Sequence, residues 1–130
     1  MSDGSTYTVA SLASTLNATV QVPGSKSVAA RALVCAAMAL GESTVSNLPS
    51  GDDTASMLSG LATLGAKFEV HGDTAKFRSS WDVDQLDPLV LDARLAGTTA
   101  RFLTAVSALR LGEVVITGEE ALRKRPMDDL

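Results

Sequence analysis

Helix-period stretches alternate with short strand-type runs along this chain, which predicts a mixed α/β domain of the α+β type. Three observations carry the prediction. Three Ala/Leu-rich stretches have apolar residues at helical spacing. Each is followed by a glycine: Gly41, Gly65 or Gly112. The order glycine turn, helix, Gly-Glu, strand occurs twice.

The elements follow in order. Residues 1–5 read as a disordered tail. Residues 7–10 and 18–22 carry strand-type side chains, with Asn17 as turn material between them. Pro23-Gly24 punctuates the chain. Residues 27–40 form a helical stretch with Leu33, Ala36, Ala37 and Leu40 on one face, and Gly41 stops it. A short strand is expected at 44–48. Ser50, Asp52 and Asp53 are N-cap material for a second helix through Leu64, with Met57, Leu58, Leu61 and Leu64 on its buried face. Residues 67–70 and 75–78 read as a hairpin around His71-Gly72-Asp73. The region 79–94 is irregular apart from a strand at 89–91. A third helix is expected over 98–111, then a strand at 114–117 and a loop at 118–124. Arg125-Pro126-Met127-Asp128-Asp129-Leu130 reads as the first turn of another helix, with Pro126 near N1.

The repeat is internal and extended. Arg31-Ala32-Leu33 aligns with Arg101-Phe102-Leu103, 70 residues on, and Gly41-Glu42 aligns with Gly112-Glu113, 71 on. Gly24-Ser25 answers to Gly97-Thr98 and Asp52-Asp53 to Asp128-Asp129. The second copy stops at Leu130, inside its second helix, so the sequence reads as a piece of something longer.

Composition excludes several classes. The chain has 130 residues, a formal charge of −4 and 4% aromatics. An acidic balance argues against general affinity for nucleic-acid backbones, and scarce aromatics argue against a base-stacking platform. Hydrophobic residues at 45% and charged ones at 20% suit a globular domain. Cys35 is the single cysteine, so an internal disulfide and a Cys-rich zinc site are both excluded. No apolar run reaches about 18 residues, and the start has no signal-peptide pattern. The expectation is a reduced, cytoplasmic protein with no nucleic-acid or membrane partner.

Pro23-Gly24-Ser25-Lys26-Ser27 is the sharpest motif. A glycine turn runs into a helix start, where free N–H groups and the helix dipole favour an anion. Lys26 adds a point charge, Ser27 a hydroxyl, and Arg31 projects from the same face at i+4. It is not a Walker A loop, since only Gly24 precedes Lys26. A plain capped helix with a solvated lysine is the competing reading. Ala96-Gly97-Thr98-Thr99-Ala100-Arg101 repeats the device, with Arg101 as either an anion ligand or a structural ion-pair residue. Arg123-Lys124-Arg125-Pro126 is either a carboxylate or phosphate clamp with Arg125 as its fork, or a solvated charge run. Asp52 and Asp53 are either acid/base carboxylates or helix caps. His71 reads as a solvated turn residue and Cys35 as a small buried hydrophobe. No metal-ligand spacing and no credible Ser-His-Asp set is present.

These motifs together resemble the 5-enolpyruvylshikimate-3-phosphate synthase family. Pro23 to Ser27 with Arg31-Ala32-Leu33 resembles its first signature, Leu95 to Phe102 its second, and Arg125-Pro126-Met127 its third. The match spans residues 20–130 in the family's order. It implies an inside-out α/β barrel of βαβαββ units, of which this chain would hold one full unit and part of a second. Residues 1–22 would belong to the family's other domain, and 23–130 to an incomplete N-terminal domain. The implied reaction transfers the enolpyruvyl group of phosphoenolpyruvate to the 5-hydroxyl of shikimate 3-phosphate and releases phosphate, with no cofactor.

The resemblance also implies roles. Lys26 would contact both substrates and be the catalytic residue present. Ser27 and Arg31 would bind shikimate 3-phosphate, while the Gly97 backbone and Arg125 would hold phosphoenolpyruvate. Asp53 would support Lys26. The family's proton-transfer Asp and Glu would lie beyond residue 130, so these residues alone are expected to be inactive, with the C-terminal part of the same enzyme as the missing partner. Leu95 and Phe102 stand where the family often has Asn and Pro, which marks a subgroup and bears on glyphosate sensitivity near Gly97. Two alternatives stand beside this: the related transferase acting on UDP-N-acetylglucosamine, which usually reads Gly-Ala-Lys-Asn at the first motif, and a non-catalytic anion-binding or split-subunit module.

Overall fold

The structure is a computed structural model that describes residues 6–78 and 84–127. Its elements run α1 (Lys26–Met38), β1 (Glu42–Val45), α2 (Asp52–Thr63), β2 (Lys67–His71), β3 (Thr74–Arg78), β4 (Leu89–Asp92), α3 (Gly97–Ser107), β5 (Val114–Thr117) and α4 (Glu120–Arg123). The mixed α/β class is as predicted. Two sheets form among the described residues: an antiparallel one in the order β1-β3-β2, and a parallel pair, β4-β5.

α1 has its apolar residues one helical turn apart and buries Ala29, Ala30, Leu33, Ala36 and Ala37 on one face. That face packs on β1 and β3. β3 alternates as a strand with one covered face should, burying Ala75 and Phe77 and exposing Lys76 and Arg78. Phe77 lies opposite Phe68 in the β2–β3 register, with ring centroids 4.9 Å apart. α2 packs against α1, α3 and β4, and contributes Met57 and Leu61, both fully buried. α3 crosses between β4 and β5, which is how a parallel pair must be joined. Its Leu103 is fully buried against α2 at Gly60, where a β-carbon would strike the leucine.

Several boundaries differ from expectation. Residues 7–10 and 18–22 are not strands, and Tyr7, Val9, Val20 and Val22 are exposed. A strand needs a ladder partner, and none lies alongside them among the described residues. The repeat shows the contrast: β5 pairs with β4, the strand just before Gly97, whereas among the described residues β1 pairs with β3 alone. β1 occupies 42–45 rather than 44–48, because the Leu48 N–H turns away to donate to the Asp73 carbonyl at 2.8 Å.

α1 ends at Met38, with Ala39 in an extended conformation, so Gly41 follows the stop rather than making it. Leu40 is consequently outside the helix and exposed. Cys35 is exposed rather than buried: it lies on the face of α1 opposite Leu33. His71 is solvated as expected, but it is the last residue of β2, paired with Thr74, and Gly72-Asp73 alone make the turn.

α3 stops at Ser107 instead of 111. Leu109 and Arg110 make tight bonds to Val106 and Ser107 carbonyls, and the Arg110 guanidinium turns inward to the Asp87 carbonyl at 2.7 Å. The expected loop 118–124 contains α4, anchored by buried Leu122 against Ala93 and Ala100. Arg125 to Met127 are not helical. The expected tail at 1–5 and the Asp128-Asp129 helix start lie outside the described residues. No helix among the described residues is long and apolar enough to cross a membrane.

Candidate functional site

The site begins at the Pro23-Gly24 turn. A β-carbon on Gly24 would collide with the Asn47 carbonyl oxygen and sit 3.4 Å from Pro49 Cδ. Two backbones meet there, and only glycine leaves room. Ser25 then caps α1, its hydroxyl accepting the Val28 N–H at 3.5 Å. Lys26 and Ser27 therefore fall in the first turn of α1, where the N–H groups are free. Gly24→Ala is expected to destabilise the domain by about 1–3 kcal/mol through this overpacking. It should also move the amide signals of residues 25–31. Thermal melting and an amide NMR map check this, and an unchanged melting temperature would show that the turn yields without strain.

Three helix starts converge on one hollow of about 260 Å³. α1 supplies Lys26, Ser27 and Ala30, α2 supplies Asp53 and Thr54, and α3 supplies Thr98 and Thr99. Lys26 Nζ lies 3.3 Å from Asp53 Oδ2, with both side chains substantially exposed. Buried Thr99 donates to the Asp53 carbonyl at 3.4 Å and so ties α3 to α2. The Asp pair does not cap α2. Its N-cap is Gly51, with no side-chain cap bond, and the two acids stand in the first turn. They diverge: Asp53 meets Lys26, while Asp52 meets Arg94 at 3.4 Å.

Arg31 folds back along its own helix. Its Nη1 donates to the Ser27 carbonyl at 2.8 Å and to the Ser27 hydroxyl. Its guanidinium lies over the Phe102 ring, 5.4 Å from the centroid. Next to this group is a second one. A β-carbon on Gly97 would sit 2.9 Å from Arg125 Nη1 and 3.9 Å from Arg101 Nη1, so two guanidinium groups lie close to the Gly97 backbone. Arg101 also donates to the Pro126 carbonyl at 3.3 Å, a backbone contact rather than an ion pair. α4 delivers Arg125, whose N–H bonds to the Leu122 carbonyl at 3.0 Å. Within the basic run Lys124 is tied to Glu120 at 2.6 Å.

All five residues singled out as site candidates thus fall in two adjoining groups. Lys26, Ser27 and Arg31 form one, Gly97 and Arg125 the other, and the first turn of α3 joins them. Sequence reasoning missed Thr54 and Arg94. Thr54 follows the Asp pair with no pattern to single it out. Arg94 has φ +49°, takes the Asp92 side chain on its N–H at 2.8 Å, and accepts from the Glu119 N–H at 2.9 Å. It is the joint between α2, the β4–α3 turn and α4, a role that only long-range contacts define.

Cations, hydroxyls and helix N-termini at close range make a cradle for polyanionic ligands, carried on a repeated α/β scaffold. The chain belongs to the EPSP synthase (3-phosphoshikimate 1-carboxyvinyltransferase) family, whose model matches residues 11–130. It is 42% identical over 122 residues to a 3-phosphoshikimate 1-carboxyvinyltransferase of Yersinia ruckeri, covering 88% of this chain and 28% of that protein. A protein of the same name from Nostoc sp. is 37% identical over 127 residues, covering 96% of this chain and 30% of that one. An EPSP synthase structure from Acinetobacter baumannii superposes with a TM-score of 0.64 at 24% identity, covering 84% of this chain and 25% of that chain, and shows the shared fold. The chain spans under a third of the length of these relatives.

Proposed function

We propose that these residues form one side of an active site that transfers the enolpyruvyl group of phosphoenolpyruvate to the 5-hydroxyl of shikimate 3-phosphate, releasing phosphate. One observation carries the reading: three helix N-termini, with Lys26 and Ser27, meet at a single hollow beside the Gly97–Arg125 group. Both substrates are multiply anionic, and two adjoining cationic cradles suit them. Lys26 is assigned to both substrates and is the catalytic residue proposed here. Ser27 and Arg31 hold shikimate 3-phosphate, while the Gly97 backbone and Arg125 hold phosphoenolpyruvate.

These residues bind, orient and neutralise charge, and proton transfer is assigned to parts of the family's sequence beyond this chain. Residues 1–22 are assigned to the family's second domain and 23–130 to the first. No nucleic acid or membrane enters the reaction, and the cytoplasm is its proposed location.

An amide NMR titration tests the reading. Shikimate 3-phosphate is expected to give saturable shifts centred on residues 25–31. UDP-N-acetylglucosamine should give none there. Shifts with the sugar nucleotide alone would favour the related transferase, and a dispersed spectrum that neither ligand moves would overturn the assignment of a preformed half-site.

A further inference from the structure

We propose that Phe102 is a positioning residue for Arg31, holding its guanidinium in one plane beside Ser27 with its remaining N–H edge free for an anion. Arginine is long, and Arg31 is solvent-exposed, so by itself it would sample many rotamers. Its two hydrogen bonds both go to Ser27, four residues back on the same helix. Any arginine at that spacing could make them. Phe102 is different because it comes from α3.

The ring is half-buried and sits next to fully buried Leu103, so the core fixes where it stands. The guanidinium lies 5.4 Å from the ring centroid, inside the roughly 6 Å range of a cation–π contact. In the proposed arrangement the guanidinium turns its face to the ring, which leaves its in-plane N–H groups available. Nη1 is engaged by Ser27. Nε and Nη2 make no hydrogen bond among the described residues. A fixed plane with two free donors suits bidentate binding of a phosphate or carboxylate. Ser27 lines the hollow, so the ring keeps the charge at its margin. That the anion is a charged group of shikimate 3-phosphate rests on the function proposed above.

The test has two readouts. The first needs no ligand: the ring current of Phe102 should shift the Arg31 side-chain δ protons, and Phe102→Leu should abolish that shift. The second is the Kd of shikimate 3-phosphate by NMR titration. Phe102→Leu is expected to raise it about 2–5-fold, and Phe102→Tyr, which keeps a ring face, to hold it within about 2-fold. Arg31→Ala should raise it further, and adding Phe102→Leu to Arg31→Ala should then change nothing more. Phe102→Met, ringless and flexible, replaces the leucine variant if that one is misfolded.

Unchanged Arg31 δ-proton shifts in a folded ringless variant would overturn the proposal. So would a Phe102→Leu effect on Kd that persists without Arg31, since it would show a merely structural role. If Arg31→Ala weakens binding and Phe102→Leu does not, positioning fails while the substrate reading stands. If the unaltered chain binds no shikimate 3-phosphate, the substrate reading fails and the ring-current result alone decides the positioning.

Discussion

Phe77→Ala is expected to cost about 3–5 kcal/mol of stability, which is comparable with the whole stability of a small domain. Phe77 sits on the central strand of the antiparallel sheet and is only 2% exposed. Its ring faces Phe68 across the register and belongs to the core cluster on which α1 packs. Removing it leaves a cavity that the flanking strands on both sides cannot collapse to fill. Phe68→Ala should cost less, because that ring is only half-buried. Urea unfolding followed by circular dichroism measures both. A loss below about 1 kcal/mol for Phe77→Ala, against the usual cost of such a truncation, would mean that the sheet does not cap the core as described. The consequence reaches the site, because α1 packs on β1 and β3 and carries Lys26, Ser27 and Arg31.

Lys26→Ala should act in the opposite way, sparing the fold and damaging binding. The Lys26–Asp53 pair has side chains 65% and 43% exposed, so its contribution to stability is under about 1 kcal/mol. A charge-assisted hydrogen bond to a substrate phosphate is worth more, about 1.5–3 kcal/mol. The Kd for shikimate 3-phosphate is therefore expected to rise about 10–100-fold, with the melting temperature nearly unchanged. Titration and melting of the same preparation separate the two effects. Equal affinity in a folded Lys26→Ala variant would remove Lys26 from the site, and a large fall in melting temperature would make it a structural residue instead.

What could be read without coordinates was whatever is local. Apolar residues at helical spacing identified α1, α2 and α3. The hairpin followed from two strand-type runs flanking Gly72-Asp73. Both helix-start motifs were legible because a glycine turn, a hydroxyl and a cation lie within a few residues of each other. The basic run at 123–125 was visible too, with Arg125 as its expected fork, but not where its neighbours go. Lys124 goes to Glu120 on its own helix, while Arg125 reaches Gly97 across the chain.

Sequence alone determined the α/β class, the repeat and the three long helices, since each depends on spacing along one segment, while the roles of Lys26, Ser27, Arg31, Gly97 and Arg125 came from the family resemblance. Tertiary structure decided the rest. Residues 18–22 have strand-type side chains but no ladder partner beside them, and strand propensity cannot supply one. Cys35 read as buried and Leu40 as part of the helix until the true face and end of α1 were known. The Asp pair looked like a cap until Gly51 proved to be the N-cap of α2, which freed Asp53 for Lys26 and Asp52 for Arg94. Arg94, Thr54 and Phe102 gain their roles only from contacts between elements far apart in the chain. A site made where three helix ends meet is a property of how those helices pack, and no single segment encodes it.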